Sequence, residues 1–231
     1  MKSKSIAIIP ARGGSKRIPR KNVKSFLGKP IIQYSIETAI NSKCFDHILV
    51  STDDPEISKL SKQLGAEVPF LRSKKNSSDS AMLDHVVEEV LTKLDKQFSF
   101  LCCILPTAPF ITDTVIKETR EMISSNSVDT VVPVVKFSFP IQRAFHIRNN
   151  LLEMIHPENY HVRSQDLEPT YHDSGQFYWK STKHFNKSKS LFSGKIKPYF
   201  LNEMVAQDID TLEDWEIAEF KYKLMFHQNN A

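Results

Sequence analysis

Ile6-Ala7-Ile8-Ile9-Pro10-Ala11-Arg12-Gly13-Gly14-Ser15-Lys16-Arg17-Ile18-Pro19-Arg20-Lys21-Asn22 passes from an apolar run straight into a basic loop. The run Ile6–Ile9 reads as a buried strand. Gly13 and Gly14 let the backbone turn tightly and approach a ligand closely. Backbone N–H groups and five cations, Arg12, Lys16, Arg17, Arg20 and Lys21, then share one loop. That combination suits a polyphosphate. The commoner fate of a charge run is a solvated surface or a nucleic-acid patch. Paired glycines at a strand end favour phosphate.

Working outward, nine of the 31 Lys and Arg precede Glu37, the first of 27 acids, so the remaining chain carries 22 cations. The chain is a basic head on a mildly acidic body. The cations are neither spread along a helix nor interleaved with aromatics, so no nucleic-acid partner is expected. At 231 residues, 40% hydrophobic and 25% charged, one larger domain spanning 1–231 is expected. Cys102 and Cys103 fall inside the apolar run 100–105, and with Cys44 they make an odd set without Cys-x-x-Cys. They read as reduced core residues, which implies a cytoplasmic protein. The apolar run after Lys2 and Lys4 is too short for a signal peptide, and no run reaches a membrane span.

Short apolar runs alternate with helical patterns. Helices are expected over 30–42, 55–64 with Asp54 as its cap, 79–94, 112–124, and 211–225 with Thr211 as N-cap and Asp214 three positions on. Strands are expected over 6–9, 48–50, 98–105, 129–135 and 197–201, with 68–71 strand-like or extended. This alternation predicts a mainly parallel sheet covered on both faces. After Lys136 the pattern shifts to shorter strands over 137–150, 151–155 and 168–180, with a turn at Asn149-Asn150. The segment 137–181 is therefore expected to project as a lobe.

Ligands of open parallel sheets bind beyond the carboxyl ends of the strands. There lie the basic loop, Ser51-Thr52-Asp53-Asp54, Pro106-Thr107-Ala108-Pro109 and Asp208-Ile209-Asp210. The loop is neither a Walker A loop nor a Gly-x-Gly-x-x-Gly fingerprint. Its cations reach far enough for several phosphates and for the charge on a departing pyrophosphate. Alternation in an extended segment puts Asp208 and Asp210 on one side. They repel unless a cation intervenes, and Mg²⁺ accepts one or two carboxylates plus phosphate oxygens. Helix capping by Asp210 is the competing reading. Arg163, Gln165, Asp173 and Gln176 sit in stretches dense in polar groups. Arg163 is a candidate for a substrate carboxylate and the others for hydroxyl or amide groups, against a reading as lobe salt bridges. No histidine pair has metal-ligand spacing, and no Gly-x-Ser-x-Gly elbow occurs.

The segment Ile8–Asn22 resembles the N-terminal motif of the CMP-N-acylneuraminate synthetase family, the CMP-sugar cytidylyltransferases of nonulosonic acids. Gly28-Lys29-Pro30, Val50–Asp54, Val68–Arg72, Pro106–Phe110 and Gln207–Thr211 match in order, nearly the whole chain. Phe139–Ala144, Arg163–Glu168 and Tyr171–Trp179 resemble the pseudaminic acid branch. Leu105 stands where sialic acid synthetases usually carry a sugar-reading Gln, and Met82 and Leu83 replace hydroxyl-bearing residues. The resemblance implies a three-layer α/β nucleotide-diphospho-sugar transferase-like fold with a small β-rich dimerisation lobe, active as a homodimer. It implies that the anomeric hydroxyl of a nine-carbon acidic sugar attacks the α-phosphorus of CTP. Ala11, Arg12, Gly13, Ser15, Lys21, Asn22, Arg72, Ser80 and Ala81 would hold CTP, with Arg12 and Lys21 catalytic. Leu105, Arg163, Gln165, Asp173 and Gln176 would face the sugar, and Asp208 and Asp210 would hold Mg²⁺. The alternatives are another nonulosonic acid (legionaminic or N-acetylneuraminic), a non-catalytic nucleotide-binding protein, or a metal-dependent glycosyltransferase.

Overall fold

The computed structural model describes residues 3–125 and 127–226. Strand β1 (Ser5–Pro10) sends Ile6 and Ile8 into one core and Ala7 and Ile9 into another, each fully buried. A strand covered on both faces reads as a continuous apolar run because its period of two sends neighbours to opposite sides. Each of its three isoleucines contributes roughly 1.5–3 kcal/mol by burial. The basic loop follows, then a small hairpin of β2 (Ser25–Phe26) and β3 (Lys29–Pro30). Helix α1 (Ile31–Ser42), β4 (His47–Ser51), α2 (Pro55–Gln63), α3 (Leu83–Leu94), β5 (Phe100–Ile104), α4 (Asp113–Ser124) and β6 (Thr130–Lys136) complete the alternating part. A second hairpin, β7 (Phe145–Arg148) and β8 (Leu151–Met154), precedes β9 (Tyr171–Asp173) and β10 (Phe177–Ser181). Helix α5 (Thr182–Ser188), β11 (Ile196–Leu201) and α6 (Leu212–Phe226) close the described chain.

The sheet runs β4-β1-β5-β10-β6-β11, with β9 beside the end of β6. β1 is parallel to β4 and β5, β11 is parallel to β6, and β10 is antiparallel to both its neighbours. The sheet is thus mainly parallel. Helices α1, α2 and α4 cover one face through Ile32, Ile36, Ala39, Ile57, Ile116 and Ile123. Helices α3 and α5 cover the other through Val87, Val90 and Phe185. A third cluster of Ile18, Phe26, Ile31, Phe110, Ile209, Trp215 and Ala218 ties α6 to the basic loop. Three layers result. Strand β1 has partners on both sides reached by opposite excursions of the chain, so its carboxyl end lies at a topological switch point.

The caps follow the sequence. Asp54 accepts from Glu56 N and Ile57 N at 2.9 and 3.0 Å, and Thr112 accepts from Val115 N. Thr211 and Asp214 cap α6 reciprocally at 2.8–3.2 Å. Asn149 and Asn150 take φ of 52° and 62° between β7 and β8, the primed turn that favours asparagine.

Other elements differ from expectation. Helix α3 begins at Leu83 rather than 79, because Asp79 is drawn out to Arg12 and Lys16. The segment 68–71, read as strand-like or extended, forms no strand, and 137–144 contains only a short 3-10 turn. The expected strand 168–180 is two strands broken at Gly175, whose φ is +65°. Its second half, β10, lies in the middle of the main sheet rather than in a lobe, with Trp179 fully buried and bonded through Nε1 to Thr119 Oγ1 at 3.0 Å. Helix α5 and the β2–β3 hairpin have no counterpart in the sequence reading. Cys102 and Cys103 are buried on opposite faces of β5, as expected of core thiols, and burial pushes the Cys103 thiol up to about 12. No helix among the described residues is long and apolar enough to cross a membrane.

Candidate active site

A cavity of about 260 Å³ opens at the carboxyl ends of β1 and β5. Arg12, Ser15, Lys16, Arg17, Ile18, Lys21 and Asn22 form one wall, with Pro10, Leu105, Pro106, Thr107, Asp208 and Asp210 around the rest. The loop that supplies the cations is fixed at three points. Ile18 is buried in the third cluster. Asn22, itself buried, donates through Nδ2 to Arg12 O at 2.8 Å, closing the loop on itself. Arg20 forms ion pairs with both Asp54 and Glu56 at the start of α2. The first of these, with the α2 amides, holds the Asp54 carboxyl below its usual range.

Ile209 is fully buried, and the two carboxylates beside it both reach the cavity. Asp210 bridges two cations, Arg17 at 2.8 Å and Lys21 at 3.3 Å. Lys21 also donates to Ile209 O at 2.6 Å. Asp208 forms no salt bridge among the described residues. Desolvation, then the neighbouring Asp210 charge, pushes its carboxyl above the usual range. Two crowded carboxylates of hard oxygen, one lacking a cation of its own, fit Mg²⁺ held jointly by protein and phosphate. No group of three or more His, Cys, Asp or Glu side chains that would hold a metal without substrate occurs among the described residues.

Arg12, Ser15, Lys21, Asn22, Leu105, Asp208 and Asp210 therefore meet in one cavity, whereas the other candidates lie elsewhere. Arg72 is buried beneath the sheet end, donating to Ser51 Oγ at 3.0 Å and to Ser51 O, and burial lowers its guanidinium to about 10. Gly13 donates its N–H to Asp53 Oδ1 at 3.0 Å. Ser80 and Ala81 do not line the cavity but follow Asp79, which binds Arg12 at 2.8 Å and Lys16 at 2.5 Å. Gln176 is buried and donates to Val205 O at 2.6 Å. Asp173 accepts from Tyr178 Oη at 2.6 Å and Gly175 N at 2.8 Å. The turn between them rests on the metal candidate, since a Cβ on Gly175 would lie 3.6 Å from Asp208 Cγ. Arg163 is exposed and paired with Asp166 at 2.7 Å. Neither Arg163 nor Gln165 lines the cavity.

Four polar contributors went unread. Lys16, Arg17 and Thr107 stood in segments already singled out, but nothing in their spacing separated them from their neighbours. Asp79 read as a helix start, and only tertiary structure brings it to a loop 67 residues earlier.

A strand-end loop of cations facing a carboxylate pair at the switch point of a three-layer sheet defines a nucleotidyltransferase. This chain belongs to the cytidylyltransferase family, whose model matches residues 6–231. It is 40% identical over 225 residues to the pseudaminic acid cytidylyltransferase of Campylobacter jejuni, covering 96% of this chain and 97% of that protein. It is 36% identical over 227 residues to the CMP-N,N'-diacetyllegionaminic acid synthase of Legionella pneumophila, covering 93% and 94%. Among solved structures, CMP:2-keto-3-deoxy-manno-octonic acid synthetase complexed with CTP matches with a TM-score of 0.71 over 94% of this chain and 98% of that one. At 17% identity that likeness concerns the fold.

Proposed function

We propose that this protein joins CTP and pseudaminic acid, giving CMP-pseudaminic acid and pyrophosphate. One observation carries the reading: the phosphate-type loop and the carboxylate pair share a cavity, in a chain that matches a pseudaminic acid cytidylyltransferase along nearly its full length. The anomeric oxygen of the sugar attacks the α-phosphorus and the bond to the β-phosphate oxygen breaks. Arg12 and Lys21 neutralise charge on the phosphates as pyrophosphate leaves, the electrostatic role that dominates phosphoryl transfer. Ser15 positions the triphosphate, Ala11, Gly13 and Asn22 shape the loop through their own hydrogen bonds to Ser51 O, Asp53 Oδ1 and Arg12 O, and the segment at Ser80 and Ala81 lies against the nucleoside. Arg72 acts from below by fixing the end of β4. Asp208 and Asp210 hold Mg²⁺, which supplies Lewis-acid stabilisation of phosphate charge when bound. Among the described residues, no histidine lines the cavity.

Leu105 gives the sugar site an apolar wall, while Asp173 and Gln176 stiffen the turn packed on Asp208. Arg163 and Gln165 lie on the segment that carries the β7–β8 hairpin, and we infer that they serve the site of a second copy in a homodimer. The deciding experiment measures pyrophosphate release from CTP with pseudaminic, legionaminic and N-acetylneuraminic acids. Pseudaminic acid is expected to be used at least about tenfold more efficiently than N-acetylneuraminic acid, roughly 1.4 kcal/mol of discrimination. A polar group of the sugar left unpaired costs about 1–3 kcal/mol, which Leu105 cannot recover. A ratio near one refutes the sugar assignment, preference for legionaminic acid moves it to the Legionella type, and turnover with ATP or UTP refutes the nucleotide.

A further inference from the structure

The loop cations are already paired within the chain, and Asp79 is the most telling partner. Its two carboxylate oxygens are divided between Arg12 Nη1 at 2.8 Å and Lys16 Nζ at 2.5 Å. Both cations line the cavity. The contacts with Lys16 and then Arg12 hold the Asp79 carboxyl below its usual range. The remaining hydrogen bonds of its neighbours are local. Ser78 Oγ donates to Lys75 O and meets Ser80 Oγ, and Ala81 N donates to Ser78 O. Farther back the segment is anchored to α3, with Ser73 and Asn76 both bonded to Glu89. At the tip, Ser78, Asp79, Ser80 and Met82 are exposed. Among the described hydrogen bonds and ion pairs, the Asp79 side chain is what fastens this tip to the basic loop.

We propose that Asp79 is an internal counter-anion that occupies Arg12 and Lys16 until a triphosphate displaces it, and that the displacement frees the tip 78–82 to settle on the bound nucleoside. This rests on the phosphate-loop reading above. Physically, loading exchanges one anion for another at the same two cations. The protein avoids leaving the positive loop uncompensated between turnovers, and the nucleotide binds less tightly than the cation count alone allows. The exchange also links the phosphate end of the site to its nucleoside end, because the residue that leaves the cations is one step from Ser80 and two from Ala81.

The test is calorimetric titration of the wild type, Asp79→Asn and Asp79→Glu with inorganic pyrophosphate and with CTP, at low and at high salt. Asp79→Asn keeps the shape and removes the charge at an exposed position, so the fold is not at stake. It should bind pyrophosphate about three- to tenfold more tightly than the wild type at low salt, the range two exposed ion pairs can supply. Screening should shrink the gap at high salt. Asp79→Glu should behave as the wild type. Amide hydrogen exchange at 78–82 should already be fast in Asp79→Asn before ligand is added, whereas in the wild type pyrophosphate should accelerate it. Equal or weaker pyrophosphate binding by Asp79→Asn overturns the proposal, as does failure of both proteins to bind pyrophosphate. If pyrophosphate binds and responds to Asp79→Asn but CTP does not bind, the counter-anion stands and the nucleotide reading falls.

Discussion

Gly13 occupies a position with no room for a side chain: a Cβ there would come within 2.6 Å of Asp54 Oδ2 and 2.9 Å of Asp54 Cβ. Asp54 cannot yield easily, because it caps α2 and pairs with Arg20. Gly13→Ala should therefore push the loop off its seat and lower kcat/KM by about tenfold or more, equivalent to 1.4 kcal/mol, with a melting temperature only slightly reduced. Near-normal kinetics would show that the loop adapts. Close approach at Gly13 was legible in the sequence, but the neighbour that demands it was not. A glycine before a basic run suggests a ligand at the backbone, whereas here a carboxylate 41 residues later takes the space. Lys21 was legible as a cation of the strand-end loop that lines the cavity. Its ammonium lies within reach of Asp210 at the cavity wall. Lys21→Ala should cost roughly 10²–10³ in turnover, the usual loss for one transition-state charge contact, and leave the fold intact by circular dichroism. A mutant with ordinary turnover would mark this lysine as a spectator.

Strand β10 illustrates what periodicity cannot say about an element. Phe177, Tyr178 and Trp179 announced a strand, but a strand's sequence does not name its neighbours, so its place between β5 and β6 was invisible. The parallel strands were easier, since each repeats the local βα pattern that implies its geometry. Helix α5 escaped because seven residues with two lysines and a histidine show no apolar period. At the end of β10, Lys180 is wholly buried and donates to Thr130 Oγ1, Ser193 O and Ser193 Oγ at 2.6–2.9 Å. Burial lowers its ammonium from 10.5 to about 8, against the pull of Asp129 and Asp84. Between those values the unfolded chain binds more protons than the folded one, so stability must rise with pH across that window. Below about 8 both states are charged and the destabilisation is complete. Relative to Lys180→Met, the wild type should gain up to about 3 kcal/mol of unfolding free energy between pH 8 and 10.5. Urea titrations of both proteins at each pH measure the difference, and a flat difference would mean that water reaches this ammonium.

At the scale of the whole molecule, the β7–β8 hairpin presents an uncovered apolar face. Its register pairs Phe145 with Met154 and Ile147 with Leu152, which gathers four apolar side chains on one face. Phe145 is 53% exposed, Ile147 75% and Leu152 68%. An isolated two-stranded hairpin is marginal in water, and monomers rarely leave such a face uncovered. In the proposed homodimer a second copy supplies the cover and receives Arg163 and Gln165 at its own sugar site. Ile147→Lys should then shift the protein to monomer in sedimentation equilibrium and lower turnover along with it. Complementation tests the shared site directly. Lys21→Ala disables the phosphate loop and Arg163→Ala the sugar contact, so each homodimer should be nearly inactive. After mixing and subunit exchange, half the dimers carry both variants, and one of their two sites combines an intact loop with an intact Arg163. Activity should recover to about a quarter of the wild-type value, as two-fold symmetry requires. If Arg163 serves its own chain instead, each subunit of the mixed dimer carries one lesion at its own site and no activity returns. A dimer that shows no recovery would thus leave the hairpin as an interface and return the sugar contact to the subunit that carries it.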